Sequence, residues 1–194
     1  MKNIAVFASG NGSDLQATID GCATGKINGK VCLVISNNSK SFALQRARDA
    51  GIPALHLSAK THPTSLEATM LQALIDHKTD IIFLAGYLKK MGISILQKFE
   101  NNIYNIHPAL LPKYGGQGMF GIHIHNAVVA AGETETGITI HRVSPEYDQG
   151  EIIAQCTVPV LPQDTGETLA ARVLATEHEF LVKILGEITQ CQDF

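Results

Sequence analysis

Short apolar runs that end in turn residues and hand over to helical patterns constrain this chain more than any other feature. Ile4-Ala5-Val6-Phe7-Ala8 carries no polar side chain, as expected of a strand covered on both faces in a parallel sheet. Ser9-Gly10-Asn11-Gly12-Ser13-Asp14 follows, then a helical pattern through Leu15, Ile19 and Cys22. The same order recurs. Val31 to Ser36 reads as a strand, Phe42 to Ala50 as a helix closed by Gly51, and Ile52 to Leu57 as a short strand. Pro63 to His77 carries a helical stripe of Leu66, Met70, Leu71 and Leu74, and Asp80 to Gly86 is another buried strand. This alternation predicts an α/β fold: a doubly wound, mostly parallel sheet with right-handed crossovers and helices on both faces. Ligands of such sheets lie beyond the carboxyl ends of the strands. Ser9–Asp14, Gly86–Met91 and Asn105–Pro112 all fall there, so three loops are expected to converge on one crevice.

The second half changes character. Glu135 to Val143 and Glu151 to Val158 read as strands joined by Ser144-Pro145-Glu146-Tyr147-Asp148-Gln149-Gly150, an antiparallel hairpin at the sheet edge. Gly115 to Gly121 holds four glycines in seven residues, a loop with little intrinsic order suited to a mobile flap. Asp164-Thr165-Gly166-Glu167 opens a last helix whose core stripe is Leu169, Val173, Phe180 and Ile184. Glu177 falls on that inward side. A buried carboxylate needs a partner, either a structural Arg or a cationic group on a ligand. No internal repeat or linker divides residues 1–194, so the chain reads as a single domain.

Composition narrows the function classes. Apolar content of 45% and charged content of 17% are those of a globular protein. A formal net charge of -3 argues against a nucleic-acid-coating surface. No apolar run has transmembrane length, and Met1-Lys2-Asn3 leads straight into a strand, so no signal peptide is expected. Cys22, Cys32, Cys156 and Cys191 form no Cys-x-x-Cys pair, which fits reduced thiols in a cytoplasm. Small-molecule substrates are expected, with no nucleic acid and no membrane, for a monomer or homodimer.

Several residues carry candidate chemistry. The Gly-rich turn after the first strand leaves free amides at a helix start, where an anion such as phosphate binds. A plain tight turn with Ser13 or Asp14 as N-cap gives the same residues. It is neither the dinucleotide fingerprint, which needs glycine at Leu15, nor a Walker loop, since no Gly-Lys-Ser/Thr follows. Asn105 and His107 lie two apart in Asn105-Ile106-His107-Pro108-Ala109-Leu110-Leu111-Pro112-Lys113-Tyr114, so on a strand they share a face. An amide donor beside an imidazole suits an oxyanion and a moving proton. A capping Asn and a core His satisfied by backbone have the same spacing. Asp148 is equally at home in a turn. His123 and His125 diverge on a helix, and no third ligand has matching spacing, so no metal is expected.

The longer word Asn-Ile-His-Pro-x-Leu-Leu-Pro-Lys-Tyr resembles the signature of the folate-dependent formyltransferases. In detail the chain is similar, from Ile4 to about Leu185, to the branch acting on glycinamide ribonucleotide. The resemblance implies a Rossmann-like fold and 10-formyltetrahydrofolate as formyl donor, with no metal. By position it implies that Asn11, Gly12, Ser13 and Asp14 hold the ribonucleotide phosphate, with Ile106 and Pro108 beside the substrate and Glu177 orienting its amine. Leu88, Lys89, Lys90 and Met91, with Val143 and the loop to Asp148, match the folate pocket. Asn105, His107 and Asp148 match the catalytic trio: oxyanion donor, general acid, and a carboxylate that favours the protonated imidazole. Three departures stand out, the first a Gly115–Gly121 stretch longer than the Pro-Gly link of many relatives. Asp14 replaces a usual Asn, so it is expected to face away as a cap while backbone amides bind phosphate. Pro63 stands near a basic residue that grips the folate tail in some relatives, leaving that role to Lys89, Lys90 or nothing.

Overall fold

The computed structural model describes residues 1–190, so the reading of Cys191 lies outside the described residues. Thirteen elements follow one another: β1 (Lys2–Phe7), α1 (Ser13–Ala23), β2 (Gly29–Ser36), α2 (Phe42–Asp49), β3 (Ala54–His56), α3 (Leu66–Asp76) and β4 (Ile81–Leu84). Then come α4 (Ile93–Lys98), β5 (Ile103–His107), α5 (Ile122–Ala130), β6 (Glu135–Arg142), β7 (Ile152–Pro159) and α6 (Gly166–Gln190). The strands form one sheet in the order β3-β2-β1-β4-β5-β6-β7. β1 to β5 pair parallel, and β6 and β7 add antiparallel.

The apolar run of β1 explains the layering. Successive side chains leave a strand on opposite faces, so Ile4, Val6 and Ala8 join a core with Leu15 of α1, Leu44 of α2, Ile124 of α5 and Leu181 of α6. Ala5 and Phe7 enter the opposite core with Met70 and Leu74 of α3 and Ile95 of α4. Helices therefore cover both faces, and the edge hairpin stands where its alternation placed it.

Two local expectations need correction, and one helix, α4, was not read from the sequence. α3 begins at Leu66 rather than Pro63, with Ser65 in the N-cap position. α4 has six residues with Ile95 alone buried, too few for a periodicity to register. The N-cap of α1 is neither Ser13 nor Asp14 but Gly12, at φ 75 and ψ 33, with no side-chain capping bond. A Cβ at Gly12 would stand 2.7 Å from Ala43 Cβ, so close packing against α2 and left-handed backbone together demand glycine there.

Candidate active site

β5 ends at the carboxyl edge of the sheet, and Asn105 and His107 leave it on one face. The antiparallel register with β6 sets Asn105 opposite His141. The connection between β6 and β7 then folds back and brings Asp148 over both strands. Asp148 Oδ1 lies 3.7 Å from His107 Nδ1, 3.5 Å from His141 Nε2 and 3.5 Å from Asn105 Nδ2. Asp148 itself sits at φ 55, in the left-handed region. The three residues matched to catalysis therefore meet, although Asp148 is distant in sequence.

Hydrogen bonds fix which atoms are free. His107 Nε2 donates to the Tyr114 carbonyl at 2.8 Å. A carbonyl only accepts, so that nitrogen carries the hydrogen and Nδ1 is left facing Asp148. His141 Nδ1 donates to the Arg142 carbonyl at 2.7 Å, which leaves His141 Nε2 to accept from Asn105 Nδ2 at 3.0 Å. His141 is absent from the residues singled out by sequence. The signal was available: an antiparallel partner for the strand ending at His107 places a polar residue of Gly137–His141 against Asn105.

The carboxylate also ties down the glycine-rich segment, because the Gly116 amide donates to Asp148 Oδ2 at 2.8 Å. Burial is the largest influence on the Asp148 carboxyl and pushes it up. Its contacts with the His141 and His107 rings and with the Gly116 amide together outweigh burial and leave it below the ordinary carboxylate range. Asp148 raises the proton affinity of His107 in the expected direction, but a second influence opposes it. Burial of its ring lowers its proton affinity by more than Asp148 raises it, so the net shift is downward. At pH 7 His107 is therefore neutral.

Gly150 closes the Asp148 connection. A Cβ there would stand 1.7 Å from the Arg142 carbonyl oxygen, and backbone cannot swing aside as a side chain can. Gly150→Ala is therefore expected to displace the connection and Asp148 with it, at a cost of about 1–3 kcal/mol for overpacking. Thermal melting measures that cost, and turnover should fall by more than the melting shift alone explains.

Two recesses meet at this cluster. The larger, about 530 Å³, is lined by Ser13, Asp14, Ile106, Pro108, Leu88 and Glu177, with Gly116 to Gly121 forming its lip. The smaller, about 60 Å³, is lined by Lys89, Lys90, Met91, Val143 and Tyr147 among others. Asn105, Tyr87, Lys89, Tyr147 and Asp148 belong to both walls. Lys90 crosses the mouth of the smaller recess to Glu146 at 2.9 Å, with both side chains exposed, and such surface pairs open at little cost. Beyond it runs a groove of about 550 Å³ with Lys60, Lys89 and Lys90 around an apolar floor of Leu66, Met70 and Ile95.

Asp14 does not face away. It lines the larger recess, and its buried Oδ1 lies 3.5 Å from His178 Nε2. Helix geometry explains this: with Gly12 as cap, Asp14 falls on the side of α1 that packs against α6. Burial raises its carboxyl and the His178 charge opposes that. Glu177 is buried on α6 as expected, but among the described residues neither an Arg nor any other side chain donates a hydrogen bond to it. Burial, then the nearby Asp14 charge, push its carboxyl up to about 9. Asn11 is exposed and turns toward Arg46, so the wall of the recess begins at Ser13.

Burial pushes the Cys22 thiol up to about 11 and raises Cys32 as well, which disfavours their thiolates. His123 stacks edge-on against Phe120 while His125 is buried. Among the described residues no group of three or more His, Cys, Asp or Glu gathers to hold a metal ion. No helix among them is long and apolar enough to cross a membrane.

Known proteins resemble this chain over nearly its whole length. The family model for formyl transferases matches residues 2–185. A chloroplastic phosphoribosylglycinamide formyltransferase of Arabidopsis thaliana is 42% identical over 192 residues, covering 97% of this chain and 66% of that relative. The phosphoribosylglycinamide formyltransferase of Haemophilus influenzae is 38% identical over 194 residues, covering 98% and 88%. The crystal structure of glycinamide ribonucleotide transformylase 1 from Symbiobacterium toebii superposes with a TM-score of 0.91 at 38% identity, covering 98% and 88%.

Proposed function

Because the chain belongs to the formyl transferase family, we propose that it transfers a formyl group from 10-formyltetrahydrofolate to the amine of glycinamide ribonucleotide, a step of purine biosynthesis. The observation that carries this reading is the meeting of two recesses at Asn105 and Asp148. A reaction between two bound molecules needs their reacting atoms held together at one point.

The ribonucleotide takes the larger recess. Its phosphate lies at the start of α1, where amides without intrahelical partners precede the Gln16 amide that first bonds back to Gly12. Its amine lies toward Glu177. The folate ring enters the smaller recess by parting Lys90 from Glu146. The rest of the folate follows the adjoining groove, whose apolar floor suits its aromatic ring and whose lysines suit its carboxylates. Lys60 thereby joins Lys89 and Lys90 as a cation available to the tail.

The amine nitrogen attacks the formyl carbon. A carbon–nitrogen bond forms, and the carbonyl electron pair moves onto oxygen. Asn105 has two amide hydrogens: one stays on His141 Nε2 at 3.0 Å, and the other leaves its weaker 3.5 Å contact with Asp148 for the oxyanion. His107 Nδ1 is the free nitrogen of the trio. A developing negative charge beside it, added to the standing field of ionised Asp148, restores the proton affinity that burial removes. The attacking nitrogen gives up a proton that passes through Asp148 to His107 Nδ1, and the imidazolium so formed supports the oxyanion and acts as general acid. Collapse breaks the bond to the folate nitrogen, which takes that proton from His107. No covalent enzyme intermediate is required. We place the protein in the cytoplasm.

Incubation with glycinamide ribonucleotide and 10-formyltetrahydrofolate, following loss of the formyl-folate, tests the proposal. Loss that requires the amine, with formylated product, is expected. Loss at the same rate without the amine would mark a hydrolase, and no loss in either case would mark a binding protein.

A further inference from the structure

The loop between β1 and α1 is held from behind by α2. Ser41 Oγ donates to the Gly10 carbonyl at 2.8 Å, and the Ala43 amide to the same oxygen at 3.3 Å. Arg46 makes the largest contribution. Its Nε donates to the Asn11 carbonyl at 2.9 Å, its Nη1 to Gln16 Oε1 at 3.3 Å, and its Nη2 lies 3.5 Å from Asn11 Oδ1. The guanidinium is set 4.9 Å from the centroid of the Phe42 ring. One planar fork thus joins α2, the loop and the first turn of α1.

In a trans peptide unit the carbonyl and the following N–H point in opposite directions. Arg46 holds the carbonyl of the Asn11–Gly12 unit, so the Gly12 N–H points away from Arg46. We infer that Arg46 is a positioning residue for the substrate phosphate: by holding the Asn11 carbonyl it aims the Gly12 amide, together with the free amides at the start of α1, at the anion. It also places a cation behind a loop whose first helical turn contains Asp14, a carboxylate that repels phosphate. Asp14 makes this chain more dependent on that cation than a loop with a neutral side chain there. The inference rests on the reading above in taking the phosphate to lie at the start of α1.

Calorimetric titration of inorganic phosphate into the wild type, Arg46→Ala and Arg46→Lys tests it, with melting temperatures recorded alongside. KM and kcat are then measured with glycinamide ribonucleotide and with its unphosphorylated riboside. Losing a charge-assisted hydrogen bond that organises the loop should weaken phosphate binding about tenfold in Arg46→Ala. KM for the ribonucleotide should rise by a similar factor, and the preference for the phosphorylated substrate should fall with it. Arg46→Lys should lie between, because an ammonium reaches the Asn11 carbonyl but cannot also span to Gln16. Phosphate affinity equal to wild type in either variant overturns the inference. So do equal losses with both substrates, which is what a purely structural residue gives. If Arg46→Ala does not fold, Arg46→Lys decides by the same comparison. A wild type that binds phosphate but transfers no formyl group defeats the proposed reaction and leaves the role of Arg46 standing.

Discussion

Asp148→Ala is expected to lower turnover by about 10²–10³, the size of effect seen when one oxyanion-stabilising group is removed. The side chain serves four partners at once. It faces His107 Nδ1, His141 Nε2 and Asn105 Nδ2, and it accepts the Gly116 amide at 2.8 Å. Without it the largest influence opposing the burial that keeps His107 neutral is gone, so the imidazole takes a proton less readily as the oxyanion forms. The glycine-rich lip of the larger recess loses its anchor in the same stroke. Steady-state kinetics with both substrates saturating measure the first loss, and hydrogen exchange of Gly115 to Gly121 measures the second. The fold should survive, because Asp148 lies at the site rather than in either core. Asn105→Ala and His107→Ala should each cause a comparable loss of turnover.

Glu177→Gln should make the protein more stable and a poorer enzyme. The folded-state carboxyl titrates at about 9, whereas an unfolded Glu titrates near 4.3. The folded state thus keeps a proton that the unfolded state releases. Stability attached to this group is complete below about pH 4.3, falls as pH rises, and is fully lost above the folded value. A tenfold difference in proton affinity between the two states is worth about 1.4 kcal/mol, so the cost at pH 8 is on the order of several kcal/mol. Gln has the shape of the protonated acid and cannot ionise. The variant should melt well above wild type at about pH 8, and the two curves should converge near pH 4. Asp14, raised in the same direction, adds to the wild-type slope. The gain comes with a loss, since Gln cannot ionise to meet an arriving amine as Glu177 can, and KM for the ribonucleotide should rise about tenfold. Melting curves with equal pH slopes for variant and wild type would show that Glu177 is not held protonated by the fold.

The layered sheet was legible because buried parallel strands leave a direct trace. Ile4 to Ala8 and Ile81 to Leu84 have no solvent face, so their sequences contain no polar position. Asn105 and His107 were legible for a related reason, since strand geometry alone puts residues two apart on one side. Asp148 was visible only through the resemblance, because a turn tolerates Asp whether or not it reaches across the sheet. His141 escaped notice because strand pairing, a long-range choice, decides what faces Asn105. That burial outweighs Asp148 at His107 was not legible, because a neighbouring carboxylate can be read from sequence matching while burial cannot. Asp14 turns inward against expectation for a similar reason: the rotation of α1 depends on Gly12 packing against Ala43, which no local rule contains.

His107 and Asp148 should act as one unit on a single carbonyl oxygen, and the rest of the chemistry follows from that pairing. A double-mutant cycle on turnover, with His107→Ala, Asp148→Ala and the pair, puts it to the sharpest trial. The double variant should be scarcely slower than His107→Ala alone, because Asp148 works through that imidazole. Losses that multiply in full would show two independent contributions and contradict the pairing.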